Sequence, residues 1–101
     1  MVYPVVETGP GVTRQVLAQT PKLMVVAFTF AAGGVGVRHN HPHIQSTYCE
    51  RGRFRFDLGE NSFEIGPGDS FIAPSLVFHG CVCLEAGRLI DTFTPRRDDF
   101  L

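Results

Sequence analysis

Turn-forming residues break this chain at short intervals, and no segment between the breaks sustains a helical apolar period for three turns. The breaks are "TGPG" at 8–11, "QTPK" at 19–22, "AGG" at 32–34, "ERG" at 50–52, "LGEN" at 58–61, "GPGD" at 66–69 and "EAG" at 85–87. Between them lie runs rich in β-branched and aromatic residues: "VTRQVLA", "LMVVAFTF", "VGVRHNH", "STYCE", "RFRFDL", "SFEI", "SFIAP", "VFHGCVCL" and "RLIDTFT". Short strands punctuated in this way predict an all-β sandwich or small barrel. "VTRQVLAQ" has the length of a short helix, but its flanking glycine and proline favour a strand. "RFRFDL" alternates cleanly, with Phe54, Phe56 and Leu58 on one face and Arg53, Arg55 and Asp57 on a solvated one.

At 101 residues, 44% of them hydrophobic, the chain suits one domain over 1–101 with a core of its own. A formal net charge of -1 gives no footprint for nucleic acid or an anionic membrane. The longest apolar run, around Leu23 to Ala32, is too short to span a bilayer, and no secretion signal opens the chain. The expected location is the cytoplasm, in line with an odd count of 3 cysteines and no disulfide framework. Cys81-x-Cys83 lacks the second pair of a zinc site and reads as small buried side chains.

The chemistry concentrates in "HNHPHIQ" at 39–45. Positions 39 and 41 on one strand lie about 6.6 Å apart, close enough for two imidazoles to converge on one ion. Positions 39 and 45 would lie about 20 Å apart on a straight strand, so Gln45 joins them only if the chain bends. Pro42 suits such a bend, which also turns His43 away to support the ligands or to line a rim. A fourth histidine, His79, lies on another predicted strand.

Gly33, His39-x-His41, Gln45 and Gly52 resemble the first cupin motif, with glutamine where glutamate is usual. Gly68, Pro74 and His79 resemble the second, with Leu76 where glycine is common and Cys83 where asparagine is. The resemblance implies a jelly-roll β-sandwich closed into a conical barrel. It also implies one divalent ion, zinc, nickel, iron or manganese, held by His39, His41, Gln45 and His79. "HGCVCLEAG" and "DTFTPRRDDF" narrow the resemblance to the KdgF family of small cupins, associated with pectin and alginate degradation. That family converts 4,5-unsaturated uronate monosaccharides, released by polysaccharide lyases, to the open-chain keto sugar acid. Its functional positions fall on Asp91, Phe93 and Arg97.

The residues suit that chemistry. Three imidazoles and an amide are all neutral, so a divalent ion would keep its full charge for an anionic sugar. Arg97 has the fork to grip a carboxylate, Asp91 can move a proton, and Phe93 shares the face of Asp91 and can pack on the ring. The competing readings are a cupin dioxygenase and a sugar-acid binding or sensor cupin without activity. A homodimer is expected, because "LMVVAFTF" is an apolar strand in need of cover.

Overall fold

The structure, a computed structural model, describes residues 2–101. Eight strands account for most of it: β1 (Val5–Gly9), β2 (Val12–Thr20), β3 (Leu23–Phe30), β4 (Val35–His39), β5 (Ile44–Leu58), β6 (Asn61–Ile65), β7 (Ser70–Ala73) and β8 (His79–Thr94). A single 3-10 turn over Asp98–Phe100 follows them. "VTRQVLAQ" is a strand, as its flanks indicate. β1 runs into the first turn signal, from a segment that carries no strand pattern of its own; it forms by pairing antiparallel to β2.

Two expected turns are not turns. "ERG" lies inside the 15-residue β5, and "EAG" lies inside the 16-residue β8. The glycines there mark bends within strands, where register shifts fall between Cys49 and Phe54. Length makes the bends necessary. A straight strand of β5's length would reach about 50 Å, whereas the whole molecule measures 31 × 26 × 23 Å.

The bends turn one hydrogen-bonded sheet into two layers. The sheet runs β1-β2-β3-β8-β5-β6, with β4 added to β8 and β7 to β5. β8 pairs with β4 through its first residues and with β3 through Gly87–Phe93. β5 pairs with β7 near its start and with β6 near its end. This is the expected single-domain jelly roll, curled by bending; the sheet does not close on itself through hydrogen bonds.

Buried side chains fill the space between the layers. Val12, Phe30, Cys49, Phe54, Phe56, Ile65, Cys81, Cys83 and Leu89 form one cluster, and Val16, Met24, Val26 and Phe93 form another. The three cysteines are free and buried, and burial pushes the Cys81 thiol up to about 12, which keeps it an inert apolar filler. β3 has β2 on one edge and β8 on the other. Both edges of β3 are therefore paired within the chain. No helix among the described residues is long and apolar enough to cross a membrane.

Candidate metal centre and cavity

β4 ends at His39, and the chain leaves the strand over residues 40–43 before β5 begins at Ile44. Pro42 sits in that break, so the histidine row is interrupted where the sequence suggested. Antiparallel pairing of β4 with β8 sets His39 opposite His79. His39, His41 and His79 offer ring nitrogens that all lie within 4.8 Å of one another. His43 stands outside this group, with its ring 5.3 Å from that of His41.

Each of the three rings is held the same way. Nδ1 of His39 donates to the Val37 carbonyl at 2.7 Å, Nδ1 of His41 to the His43 carbonyl at 3.0 Å, and Nδ1 of His79 to the Val77 carbonyl at 3.0 Å. A carbonyl oxygen only accepts, so these bonds put the proton on Nδ1 and leave Nε2 with a free lone pair. Nε2 of His79 is buried without a partner. Burial lowers the pKa of His41, and burial drives that of His79 down to about 4, so both rings are neutral at physiological pH.

Gln45 completes the arrangement. Its Nε2 donates to Thr47 Oγ1 at 2.9 Å and to Asp91 Oδ2 at 3.3 Å, which fixes the direction of the amide. Oε1 then faces Nε2 of His41 at 3.1 Å. With the His41 proton on Nδ1, two acceptors meet there with no hydrogen between them. A cation resolves that conflict, and the lowered pKa of His41 disfavours a proton in that role. The donor set, three imidazole nitrogens and an amide oxygen, fits a divalent transition ion.

The centre opens into a cavity of about 440 Å³. Asp91, Phe93 and Arg97 all line it, with His39, Gln45 and His79. Asp91 is buried, its Oδ1 has no partner, and burial raises its pKa to about 7 against the pull of the Thr47 hydroxyl and Arg97. Phe93 serves core and cavity together: it belongs to the Met24 cluster and meets the His41 ring edge-on at 5.7 Å. Arg97 stacks over Phe93 and Phe100 at 5.3 and 4.3 Å, and its Nε and Nη2 donate to Asp99 at 3.0 and 2.9 Å. Arg97 and Asp99 thus pair beside the cavity. Arg96 instead reaches Asp98 and Gln19.

Two residues that no sequence motif marks also belong to the site. Thr47, fully buried, stands opposite Asp91 on β5 and takes a hydrogen bond from Gln45. Arg14 lines the cavity from β2. Its signal was present in Val12-x-Arg14-x-Val16, which places an arginine on the same face as two core valines.

The sequence matches the cupin domain family over residues 26–93. It is 38% identical to the pectin degradation protein KdgF of Dickeya dadantii (strain 3937) over 94% of this chain and 88% of that protein. The chain is a cupin of the KdgF group. The solved structure of KdgF from Halomonas sp. superposes with a TM-score of 0.93 at 40% identity, covering 98% of this chain and 92% of that one. An RmlC-like cupin from Shewanella frigidimarina superposes with a TM-score of 0.94 at 38% identity, over 98% and 89% of the two chains. The KdgF match therefore takes in the cavity and the C-terminal segment together, beyond the cupin core at 26–93.

Proposed function

We propose that this cupin is a metal-dependent enzyme of pectin or alginate breakdown that opens the ring of 4,5-unsaturated uronate monosaccharides. The observation that carries the reading is the unpartnered carboxyl oxygen of Asp91, buried in the cavity wall and joined through Gln45 to the histidine group. Similarity to a pectin degradation protein supplies the substrate class.

His39, His41, His79 and Gln45 would hold the ion. A divalent ion bound there supplies Lewis acidity and a template for the oxygens of the sugar acid. The remaining work falls to side chains. Phe93 offers an apolar wall for the sugar ring, and Arg97 adds at the cavity lining the N–H donors that its pair with Asp99 leaves free. Asp91, as the carboxylate, takes the proton of the anomeric hydroxyl. C1 becomes a carbonyl, the bond from C1 to the ring oxygen breaks, and the electron pair stays on that oxygen as an enolate over C4 and C5. Asp91 then returns the proton to C4, leaving a ketone at C5. Substrate and product are isomers, so no oxidant or co-reactant enters.

The test is a lyase digest of pectin and one of alginate, each mixed with metal-loaded protein. Ultraviolet absorbance of the C4–C5 double bond should fall far faster than in buffer alone. Asp91→Asn should keep its metal and lose about 10²- to 10⁴-fold in kcat, the usual contribution of a positioned acid–base group. Because Asp91 titrates near 7, kcat/KM should rise with pH up to about that value and then level. No acceleration by the metal-loaded wild type on either digest would end this reading.

A further inference from the structure

Arg14 is a cation placed where chains rarely put one. It occupies the inward face of β2 between buried Val12 and Val16, and it lines the same cavity as Asp91 and the histidine group. Its register partner on β3 is Phe28, another cavity residue. Its guanidinium lies 4.2 Å from the centre of the Phe100 ring, the ring that also carries Arg97 at 4.3 Å.

The two arginines differ in what they have left to give. Arg97 has spent Nε and Nη2 on the two oxygens of Asp99, which also balances its charge. Among the described residues no carboxylate lies within salt-bridge reach of Arg14, and no hydrogen bond from its guanidinium to the protein is formed. Stacking on Phe100 orients the guanidinium plane and leaves all five N–H donors free. A half-buried cation with its fork unfilled, at the wall of a cavity, suits a planar anion that can take two of those donors at once.

We propose that Arg14 is the principal carboxylate-binding residue of the cavity and so sets its specificity for sugar acids over neutral sugars. Arg97, its charge balanced by Asp99, lies over Phe93 and Phe100 and shapes the same end of the cavity. The proposal rests on the sugar-acid reading above, and its test separates the two.

The experiment compares wild type with Arg14→Gln and Arg14→Lys on the unsaturated uronate and on its methyl ester, with metal content measured for each protein. Arg14→Gln should raise KM for the acid about 10- to 100-fold, the range of a charge-assisted hydrogen-bonded pair, with kcat within about twofold. Arg14→Lys should recover part of that loss. For the ester, which has no charge to grip, the same substitutions should change KM less than about twofold. Equal losses on acid and ester, or a loss carried by kcat with KM unchanged, would overturn the assignment. If wild type turns over neither compound, the ring-opening reading fails and the Arg14 proposal is judged by calorimetry with galacturonate and galactose. Wild type should then bind the acid in preference to the neutral sugar and Arg14→Gln should not; equal preference in both proteins would overturn it.

Discussion

Leu76 adopts a φ of 67°, the left-handed region in which a Cβ crowds its own backbone. Its side chain is 59% exposed, so little packing offsets the strain. The turn is nevertheless placed to matter, because Leu76 N–H donates to the His41 carbonyl and its carbonyl accepts from Asn40 Nδ2. A strained residue thus pins the loop that carries His41 and follows His39. Leu76→Gly should keep the turn and raise stability by about 0.5–1 kcal/mol, the relief of strain less the added freedom of the unfolded chain. Chemical denaturation reads that difference, and a loss of stability would show that the leucine side chain contributes packing after all. Gln45 is the opposite case, a residue whose neutrality is used on both sides. Gln45→Glu would still offer an oxygen to an ion, but it removes the donor to Asp91 and sets two carboxylates side by side. Like charges at that distance raise one pKa. The variant should bind metal, lose about tenfold or more in kcat/KM, and show its pH profile displaced upward. An unchanged profile would mean that Gln45 and Asp91 do not communicate. From the sequence, both positions could be seen as departures from the cupin motifs. Their reasons could not, since backbone angle and amide direction exist only once the loop is folded.

At the scale of elements, the two long strands decide the site. Gln45 pairs with Phe93 at one end of the β5–β8 ladder, while His79 pairs with Leu58 at the other. On straight strands these ends would stand about 43 Å apart; bending brings His41 against both Gln45 and His79. Gly87 makes the bend possible, for a Cβ there would collide with the Arg51 carbonyl oxygen and lie 2.7 Å from the Gly52 Cα. Both neighbours are backbone and neither can swing away. Gly87→Ala should therefore destabilise the protein by about 3 kcal/mol or more and weaken metal retention along with it. A mild loss in urea unfolding would show that the bend tolerates crowding. The strand pattern was legible in the sequence because alternation and turn residues are local signals. The bends were not, since a glycine that ends a strand and one that curves it read the same until the partner strand is known.

For the whole molecule, the consequence of this architecture is that the histidine group joins two distant stretches of chain, 39–41 and 79, which meet only in the fold. His39 and His41 belong to the end of β4 and the loop after it, and His79 opens β8. An ion held by all three ties β4 and its following loop to β8 and has little affinity for the unfolded chain, so its binding free energy adds to stability. At a metal concentration about 100-fold above Kd the gain is about 2.7 kcal/mol, which for a domain of this length raises Tm by about 10–20 °C. Acid should remove the gain, because protons compete for the same Nε2 lone pairs. The folded state resists that competition at two of the rings, since burial lowers the pKa of His41 and takes His79 to about 4. For the metal-free protein the sign runs against stability: an unfolded His79 binds a proton below its ordinary 6.5 that the folded one refuses, so stability declines from there toward pH 4. Melting curves with and without divalent metal at pH 7.5, 6 and 4.5 follow both effects. The metal-dependent rise should be largest at pH 7.5 and shrink at pH 6 and again at pH 4.5. His79→Gln should abolish most of the rise at every pH and flatten the acid decline of the metal-free protein. A rise of the same size in His79→Gln as in wild type would place the ion elsewhere and remove the histidine centre from the mechanism.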